Sequence, residues 1–212
     1  MTRRSLPLAL LLVPVVALSG CALLGPPPLD GRVPEWRVGD TWQYRLTAQD
    51  LARGTTLHTS PVLTVLAAEG VAGAKPVYTV NVSTLEQGFQ QTARFTVDDL
   101  NEMDGAVEIV RYDFPLSVGK RWTATREVMG GTSSGEATVT REARGVSVRA
   151  GSFDAFEIVA RYRFLDADGN PRANLTVTTY FSPQVRNLVL EEQRDDDRGE
   201  LVSRRELARY QI

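Results

Sequence analysis

The sequence predicts an all-β protein in which a single antiparallel sheet of about ten to twelve strands curves towards a half-barrel or a sandwich. Three observations predict this fold class. Apolar and polar residues alternate through most of the chain after residue 40, which is typical of strands with one buried face. Short clusters of Gly, Asn, Asp and Pro separate the alternating segments, as turns require. The body shows no sustained helical period, although residues 98–103 are compatible with one helical turn.

The first predicted strand illustrates the pattern. In residues 41–46, Trp42, Tyr44 and Leu46 occupy alternate positions and therefore share one face of the strand. The further strand candidates are residues 78–82, 93–97, 107–111, 121–128, 136–142, 146–149, 155–164, 175–181, 188–193 and 201–210. Arg111 breaks the apolar alternation of its strand.

Turn sequences join these strands. The clearest are residues 150–152, 168–171 and 197–199, which combine Gly with Ala, Ser, Asp, Asn or Pro. Residues 130–135 are also rich in Gly, but no Lys follows them as a phosphate-binding loop would require. We therefore predict a flexible hairpin connection there.

Two segments of the body share a motif. Residues 38–42 and 118–122 both read Val-Gly-x-x-Trp, and each follows a proline. A glycine permits the positive φ of a tight turn, and the tryptophan can then point into the core. The length and pattern predict one domain at 34–212, and the motif raises the alternative of two related halves, 34–114 and 115–212.

The first twenty residues have the layout of a secretory signal peptide. A short basic head precedes an apolar run at residues 6–18, and two small residues follow. A membrane-spanning helix is the alternative. It needs roughly 20 apolar residues, whereas this run is shorter and contains Pro7 and Pro14. Residues 1–20 are therefore predicted to be removed on export.

The sequence Leu18-Ser19-Gly20-Cys21 resembles the lipobox of bacterial lipoproteins. The resemblance implies that the Cys21 thiol takes a diacylglycerol, that the chain is cut before Cys21 and that the new amino group receives an acyl chain such as palmitate. Cys21 is the only cysteine, so an intrachain disulfide is excluded. The resemblance predicts a membrane partner, bound through this lipid anchor.

The residue that follows Cys21 indicates to which membrane such a lipoprotein is sorted. Many lipoproteins retained at the inner membrane of two-membrane bacteria carry an aspartate there, whereas this chain has Ala22. The resemblance therefore favours the outer membrane, with the body facing the periplasm. In a single-membrane organism it implies the outer face of the cell membrane.

Residues 21–33 are predicted to form a tether between the anchor and the body. Pro26, Pro27 and Pro28 favour an extended polyproline segment. At about 3.1 Å per residue, such a segment would hold the body up to ~35 Å from the lipid surface.

The charge of the exported chain argues against one class of partner. Without Arg3 and Arg4, 22 of the 24 basic residues remain against 26 acidic residues, a formal charge of −4. Nucleic-acid binding usually requires a concentrated basic face, and the sequence shows no such concentration. We predict no nucleic-acid partner.

The body carries a second resemblance. The Val-Gly-x-x-Trp motif, residues 150–156 and residues 180–185 with 188–189 are similar to a pattern found in uncharacterised bacterial lipoproteins and periplasmic proteins. In that pattern a glycine often follows the Ser-Pro segment, whereas this chain has Arg186 and Asn187 there. The body also resembles, more distantly, the curved half-barrels of the periplasmic lipoprotein-carrier family, which implies a binding or carrying role.

The sequence shows no catalytic or metal-binding constellation. The single histidine, His58, has Ser60 nearby but no glycine elbow of the hydrolase kind. Zinc needs several Cys or His ligands. Residues 166–170 begin like a calcium loop, but the glycine comes at the fourth place and Val177 replaces the bidentate Glu. We predict no catalytic residues, no metal and no cofactor.

These observations favour a non-enzymatic binding or envelope-accessory role, with a hydrophobic ligand or an envelope protein as partner. The alternatives are a carrier or sensor of a lipid or other hydrophobic ligand and, third, a hydrolase of unknown substrate. A carrier needs an unfilled apolar face, whereas a closed core would fill it. The candidate lining residues are Trp42, Tyr44, Leu46, Tyr78, Val80, Val82, Phe95, Phe156, Ile158 and Tyr180.

Overall fold

The computed structural model describes residues 26–50, 54–70, 75–84, 86, 88–105, 107–128, 131–165 and 171–212. Secondary structure in these ranges consists of thirteen β-strands. They are β1 (Thr41–Asp50), β2 (Thr55–Thr59), β3 (Pro61–Glu69), β4 (Val77–Thr84), β5 (Phe89–Thr96), β6 (Glu102–Asp104), β7 (Val107–Ile109), β8 (Arg121–Val128), β9 (Gly131–Val148), β10 (Gly151–Leu165), β11 (Pro171–Ser182), β12 (Asn187–Asp195) and β13 (Glu200–Gln211).

All thirteen strands belong to one sheet, and every pairing is antiparallel. Twelve of them follow the order β7-β6-β5-β4-β3-β1-β13-β12-β11-β10-β9-β8, and β2 pairs with β1 beside this path. The predicted fold class, a single curved antiparallel sheet, is confirmed. No helix in the described part of the chain is long and apolar enough to cross a membrane.

The two ends of the strand order meet, so the sheet is nearly closed into a barrel. The Thr125 N–H of β8 donates to the Val110 carbonyl, just after β7, at 2.8 Å. The Val110 N–H donates to the Thr125 Oγ1 at 2.6 Å. These two bonds close a seam between the first and last strands of the path, which favours a barrel over the alternative sandwich.

One end of the barrel is filled by aromatic side chains. We call it the packed end; β1 begins and β13 ends there. The Trp36 ring lies 4.9 Å from that of Trp42 and 5.4 Å from that of Tyr78, centroid to centroid. The indole N–H groups of Trp36 and Trp42 donate to the carbonyls of Arg186 and Val185, each at 2.7 Å. Trp36 and Trp42 therefore each have a polar partner as well as packing contacts.

The two Val-Gly-x-x-Trp motifs form turns with the same hydrogen bonds. Gly39 and Gly119 have φ values of +96° and +89°, a conformation that favours glycine. Their N–H groups donate to the carbonyls of Val65 and Val139, at 2.9 and 2.8 Å. The N–H groups of Val65 and Val139 donate in return to the carbonyls of Asp40 and Lys120, the residues that follow the two glycines. The predicted halves each contribute six strands to the barrel path, with the two turns at equivalent places.

The segment predicted to be a tether is docked on the barrel over its described part, residues 26–33. The Leu29 N–H donates to Glu142 Oε1 at 3.1 Å, and the Leu116 N–H donates to the Gly31 carbonyl at 2.6 Å. A side chain on Gly31 would collide with the Leu116 carbonyl. The sequence that resembles a lipobox, with Cys21, lies outside the described residues.

The prediction of a flexible connection at residues 130–135 is wrong for residues 131–135, which form the beginning of β9. Gly135 pairs with Tyr162 in β10. A Cβ at this position would collide with the Arg161 carbonyl and the Tyr162 ring. The glycine therefore permits close packing across the barrel wall.

Candidate functional site

A cavity of about 770 Å³ occupies the half of the barrel opposite the packed end. We call this the cavity end; β12 ends and β13 begins there. The volume lies within the roughly 300–1,000 Å³ of small-molecule sites. Much of the wall is apolar, and these residues are Leu46, Ala48, Ile109, Ile158, Ala160, Phe164, Leu175, Val177 and Val202.

Ionic side chains line the same cavity. The Arg111 Nη2 lies 2.8 Å from the Glu102 Oε2, and the Arg205 Nη2 lies 3.0 Å from the Glu191 Oε2. Glu191 and Arg205 are the more deeply placed pair, with side chains 14% and 20% exposed. Buried charges are normally paired, and both arginines satisfy this rule.

The Glu191 carboxylate is held ionised by its surroundings. Burial alone raises the pKa of Glu191, but the charges of Arg205, Arg111 and Arg126 and a hydrogen bond from Gln193 outweigh burial and lower the pKa to about 2. The cavity therefore keeps a fixed negative charge over the whole ordinary pH range.

Arg126 differs from the other two arginines in its partner. Its Nη2 donates to the neutral Oε1 of Gln193 at 2.9 Å. Among the residues that the structure describes, no carboxylate lies within ion-pair distance of Arg126. Burial lowers the pKa of Arg126, and the charge of Glu191 opposes this only in part. The cavity thus contains a largely buried cation without a direct counterion.

A third carboxylate at the cavity, that of Asp195, is engaged by its own turn. The N–H groups of Asp197 and Arg198 both donate to Asp195 Oδ1, at 3.0 and 3.1 Å. The Arg198 Nε lies 3.9 Å from the other oxygen. This carboxylate stabilises the turn between β12 and β13.

The structure separates the ten predicted lining residues into three groups. Leu46 and Ile158 line the cavity. Tyr180 pairs with Glu157 at an outward position of the register, and its partly buried ring packs against the core from there. The remainder belong to the core or pack against it, and these are Trp42, Tyr44, Tyr78, Val80, Val82, Phe95 and Phe156. Most of the large aromatic candidates therefore fill the packed end.

Sequence reasoning missed the polar part of the site. The residues concerned are Arg111, Arg126, Glu191, Gln193 and Arg205. A signal was present, because the four strand residues of this set occupy alternate positions that otherwise point inward, and Arg111 continues the alternation of β7 just beyond its end. Arg111, for example, follows the buried Ile109 by two residues. Charged residues at inward positions are the sequence signature of this cavity.

His58 lies outside the cavity, on the exposed strand β2. Its Nδ1 is 3.3 Å from the Thr47 Oγ1, whereas the Ser60 N–H donates to Glu86 Oε2 at 2.9 Å. Within the described ranges no group of three or more His, Cys, Asp or Glu residues could hold a metal ion. The calcium-like residues 166–170 lie outside those ranges.

Together, the fold and the site define a class of protein: a meander barrel with one packed end and an ion-lined cavity at the other. Two solved structures share this fold. One is a Bacteroides fragilis protein provisionally classed as exported, with a YmcC-like fold; its TM-score is 0.54 at 13% identity, over 86% of this chain and 100% of the other. The second is a Parabacteroides distasonis protein provisionally classed as a lipoprotein, with a TM-score of 0.52 at 11% identity, over 87% of this chain and 100% of the other.

At these identities the likeness shows a common fold and no more. No protein-family model matches the sequence, and no curated protein matches it either.

Proposed function

We propose that this chain is an exported, membrane-anchored lipoprotein with a non-enzymatic binding role, and that the barrel cavity is its binding site. The observation that carries the proposal is the cavity itself, about 770 Å³ in volume and lined by both apolar and charged side chains. A barrel interior that served stability alone would be filled, as the packed end is.

The proposed location rests on the lipobox and is supported by the two solved structures. Cys21 stands where a bacterial lipoprotein is lipidated, and stable attachment requires more than one acyl chain. One structural neighbour is classed as exported and the other as a lipoprotein. The outer membrane, facing the periplasm, is the proposed site because Ala22 follows the cysteine.

The second candidate function is carriage or sensing of a lipid-like ligand, and the apolar wall favours it. Ile158 and Leu175 lie on neighbouring strands of this wall. A hydrolase is less favoured, because His58 lies on the outer surface with a threonine hydroxyl as its neighbour. Both leading candidates use the same cavity.

Filling the cavity tests the proposal. Ile158→Trp places an indole at an inward position of the cavity wall, whereas Val159→Trp adds the same group at the adjacent, outward position of β10. We expect native mass spectrometry of the exported wild type to show a bound small molecule, which Ile158→Trp loses and Val159→Trp retains. Thermal unfolding of each variant checks that the fold is intact.

Two results would count against a binding cavity. One is a wild type that carries no small molecule after export, with Ile158→Trp less stable by roughly 1–3 kcal/mol, as overpacking a closed core predicts. The other is a bound molecule that both tryptophan variants retain equally, which would place the ligand elsewhere.

A further inference from the structure

The geometry points to an amphiphile with one anionic head as the ligand, its head at Arg126 and its apolar part along the wall formed by β10 and β11. This inference rests on the proposed function, since it names the ligand class of the same cavity. It depends on the charges inside the barrel, on the groups around Arg126 and on the distribution of apolar side chains.

Among the residues that the structure describes, the charges around the cavity leave one cation, Arg126, without a carboxylate partner. Arg111 and Arg205 each have a carboxylate within 3.0 Å. Within the described ranges, the hydrogen-bond partner of the Arg126 guanidinium is the amide oxygen of Gln193. A guanidinium presents five N–H donors in a planar fork that matches the two oxygens of a carboxylate or phosphate. The single bond to Gln193 leaves most of that fork for a ligand.

Other groups around Arg126 suit an anion. Arg126, Arg111 and Tyr162 all line the cavity. Burial raises the pKa of Tyr162, and the positive charges of Arg126 and Arg111 oppose this shift, so both guanidinium groups lie near the phenol. A neutral Tyr162 hydroxyl can donate a hydrogen bond to the same anion. A second anionic head would meet the negative charge of Glu191, whose partner Arg205 is already engaged. The site therefore suits a ligand with a single anionic head.

The apolar wall explains why the ligand is an amphiphile rather than a small inorganic anion. Ile158 borders the cavity at only 3% exposure, so the apolar surface that is open to water comes mainly from the partly buried side chains of the wall, such as Leu46. Phe164 and Leu175 continue the surface towards the cavity end. An alkyl chain would remove this surface from water, at about 25 cal/mol per Å² of apolar area. A phosphate or carboxylate alone would leave it hydrated.

Heads of other charge fit less well. A cationic head would meet Arg126 directly, and like charges in a partly buried site repel. A neutral head would leave Arg126 desolvated without a counterion, as it is now. Carboxylate and phosphate heads share the required chemistry, so both are included in the test.

The experiment compares four ten-carbon probes by titration calorimetry at pH 7, below their micelle concentrations. The probes are decanoate, decyl phosphate, decan-1-ol and decylammonium. We expect at least one anionic probe to bind ten times more tightly than the alcohol, and decylammonium to bind more weakly than the alcohol. The better anionic probe indicates the natural head group.

Variants locate the head. Arg126→Gln is expected to weaken the anionic probe at least tenfold and to leave decan-1-ol unchanged, while Arg126→Lys restores part of the loss. Arg121→Gln is the matched control, because Arg121 lies on the same strand with a side chain 70% exposed. Ile158→Trp should abolish binding of every probe if they enter the cavity.

The outcomes separate the two proposals. Equal affinity for decanoate, decyl phosphate and the alcohol in the wild type would overturn the anionic head while leaving the cavity as a binding site. Failure of all four probes to bind would overturn both. The comparison of probes on the wild type decides the question even if Arg126→Gln does not fold.

Discussion

At the residue scale, Glu191 and Arg205 show how a barrel interior tolerates charge. The pair lies 3.0 Å apart, and the Arg205 guanidinium also lies 5.6 Å from the centroid of the Tyr44 ring. Burial raises the pKa of Tyr44 well above its usual value, so the phenol stays neutral. Removing one partner of such a pair leaves the other charge buried and uncompensated.

Because of Glu191, the free energy of unfolding should fall in acid. The pKa of Glu191 is lowered to about 2 in the folded state, from the ordinary value of 4.5 that applies to the unfolded chain. The stabilisation that the ionised carboxylate provides is therefore fully present above about pH 4.5. That contribution is lost as the pH falls from there to about 2. The loss is on the order of 3 kcal/mol. Urea unfolding of the wild type from pH 7 to pH 2 measures the loss.

The variant Glu191→Gln should lower the free energy of unfolding at pH 7 by about 3 kcal/mol and flatten the dependence below pH 4.5. Glu200→Gln, at the exposed first residue of β13, is the control and should change neither quantity measurably. An unchanged acid slope in Glu191→Gln would mean that other carboxylates carry the acid sensitivity.

At the scale of elements, the barrel seam depends on one buried amide. The Asn101 Oδ1 accepts from the N–H groups of Arg111 and Tyr112, at 2.7 and 2.9 Å. Its Nδ2 donates to the Tyr112 carbonyl at 3.1 Å and to the Glu108 Oε1 at 3.0 Å. The side chain thus replaces the strand partner that the chain lacks after β7 ends.

Asn101→Ala is expected to destabilise the protein by about 3 kcal/mol, because it leaves buried main-chain groups of Tyr112 without partners. Amide hydrogen exchange should accelerate at Thr125, whose N–H closes the seam. Asn81→Ala, on the outward side of β4, serves as the control. Unchanged exchange at Thr125 in Asn101→Ala would show that the seam holds without this amide.

At the scale of the whole molecule, the docked N-terminal segment fixes which end of the barrel lies near the proposed anchor. The Arg144 Nη2 donates to the Pro27 carbonyl at 2.8 Å, close to the packed end of β9. Pro27 lies six positions after Cys21, and this stretch of chain spans at most about 20 Å. An anchor at Cys21 therefore holds the packed end towards the membrane and the cavity end away from it.

Labelling at the two ends tests both the anchor and this orientation. Cys21→Ser should abolish incorporation of an alkyne fatty acid and release the protein from membranes. In the lipidated protein, a fluorophore on Ser152→Cys, at the packed end, should be quenched by spin-labelled lipid in vesicles more strongly than one on Glu200→Cys, at the cavity end. Equal labelling of wild type and Cys21→Ser would contradict the anchor. Stronger quenching at residue 200 than at residue 152 would contradict the orientation.

Several strands could be predicted because their alternation is local. The candidate at 121–128 coincides with β8, and 201–210 lies within β13. Strands β2, β3 and β6 were not predicted, and the helical turn considered at residues 98–103 is wrong for Glu102 and Met103, which lie in β6. The candidates at 136–142 and 146–149 prove to be one strand, β9. A bulge opposite β10 shifts the register between them, which disturbs the alternation without ending the strand.

By itself, the sequence determined that this protein is a single antiparallel sheet, because a period of two and turn residues are local properties of the chain. It also supplied the lipobox-like sequence at residues 18–21, on which the proposed location rests. Only the tertiary structure decided that the aromatic side chains fill one end and that Arg126 and Glu191 face a common cavity. These residues lie on strands far apart in sequence, and the closure of the barrel brings them together. Alternation shows which face a side chain occupies, whereas closure determines whether that face is filled or hollow.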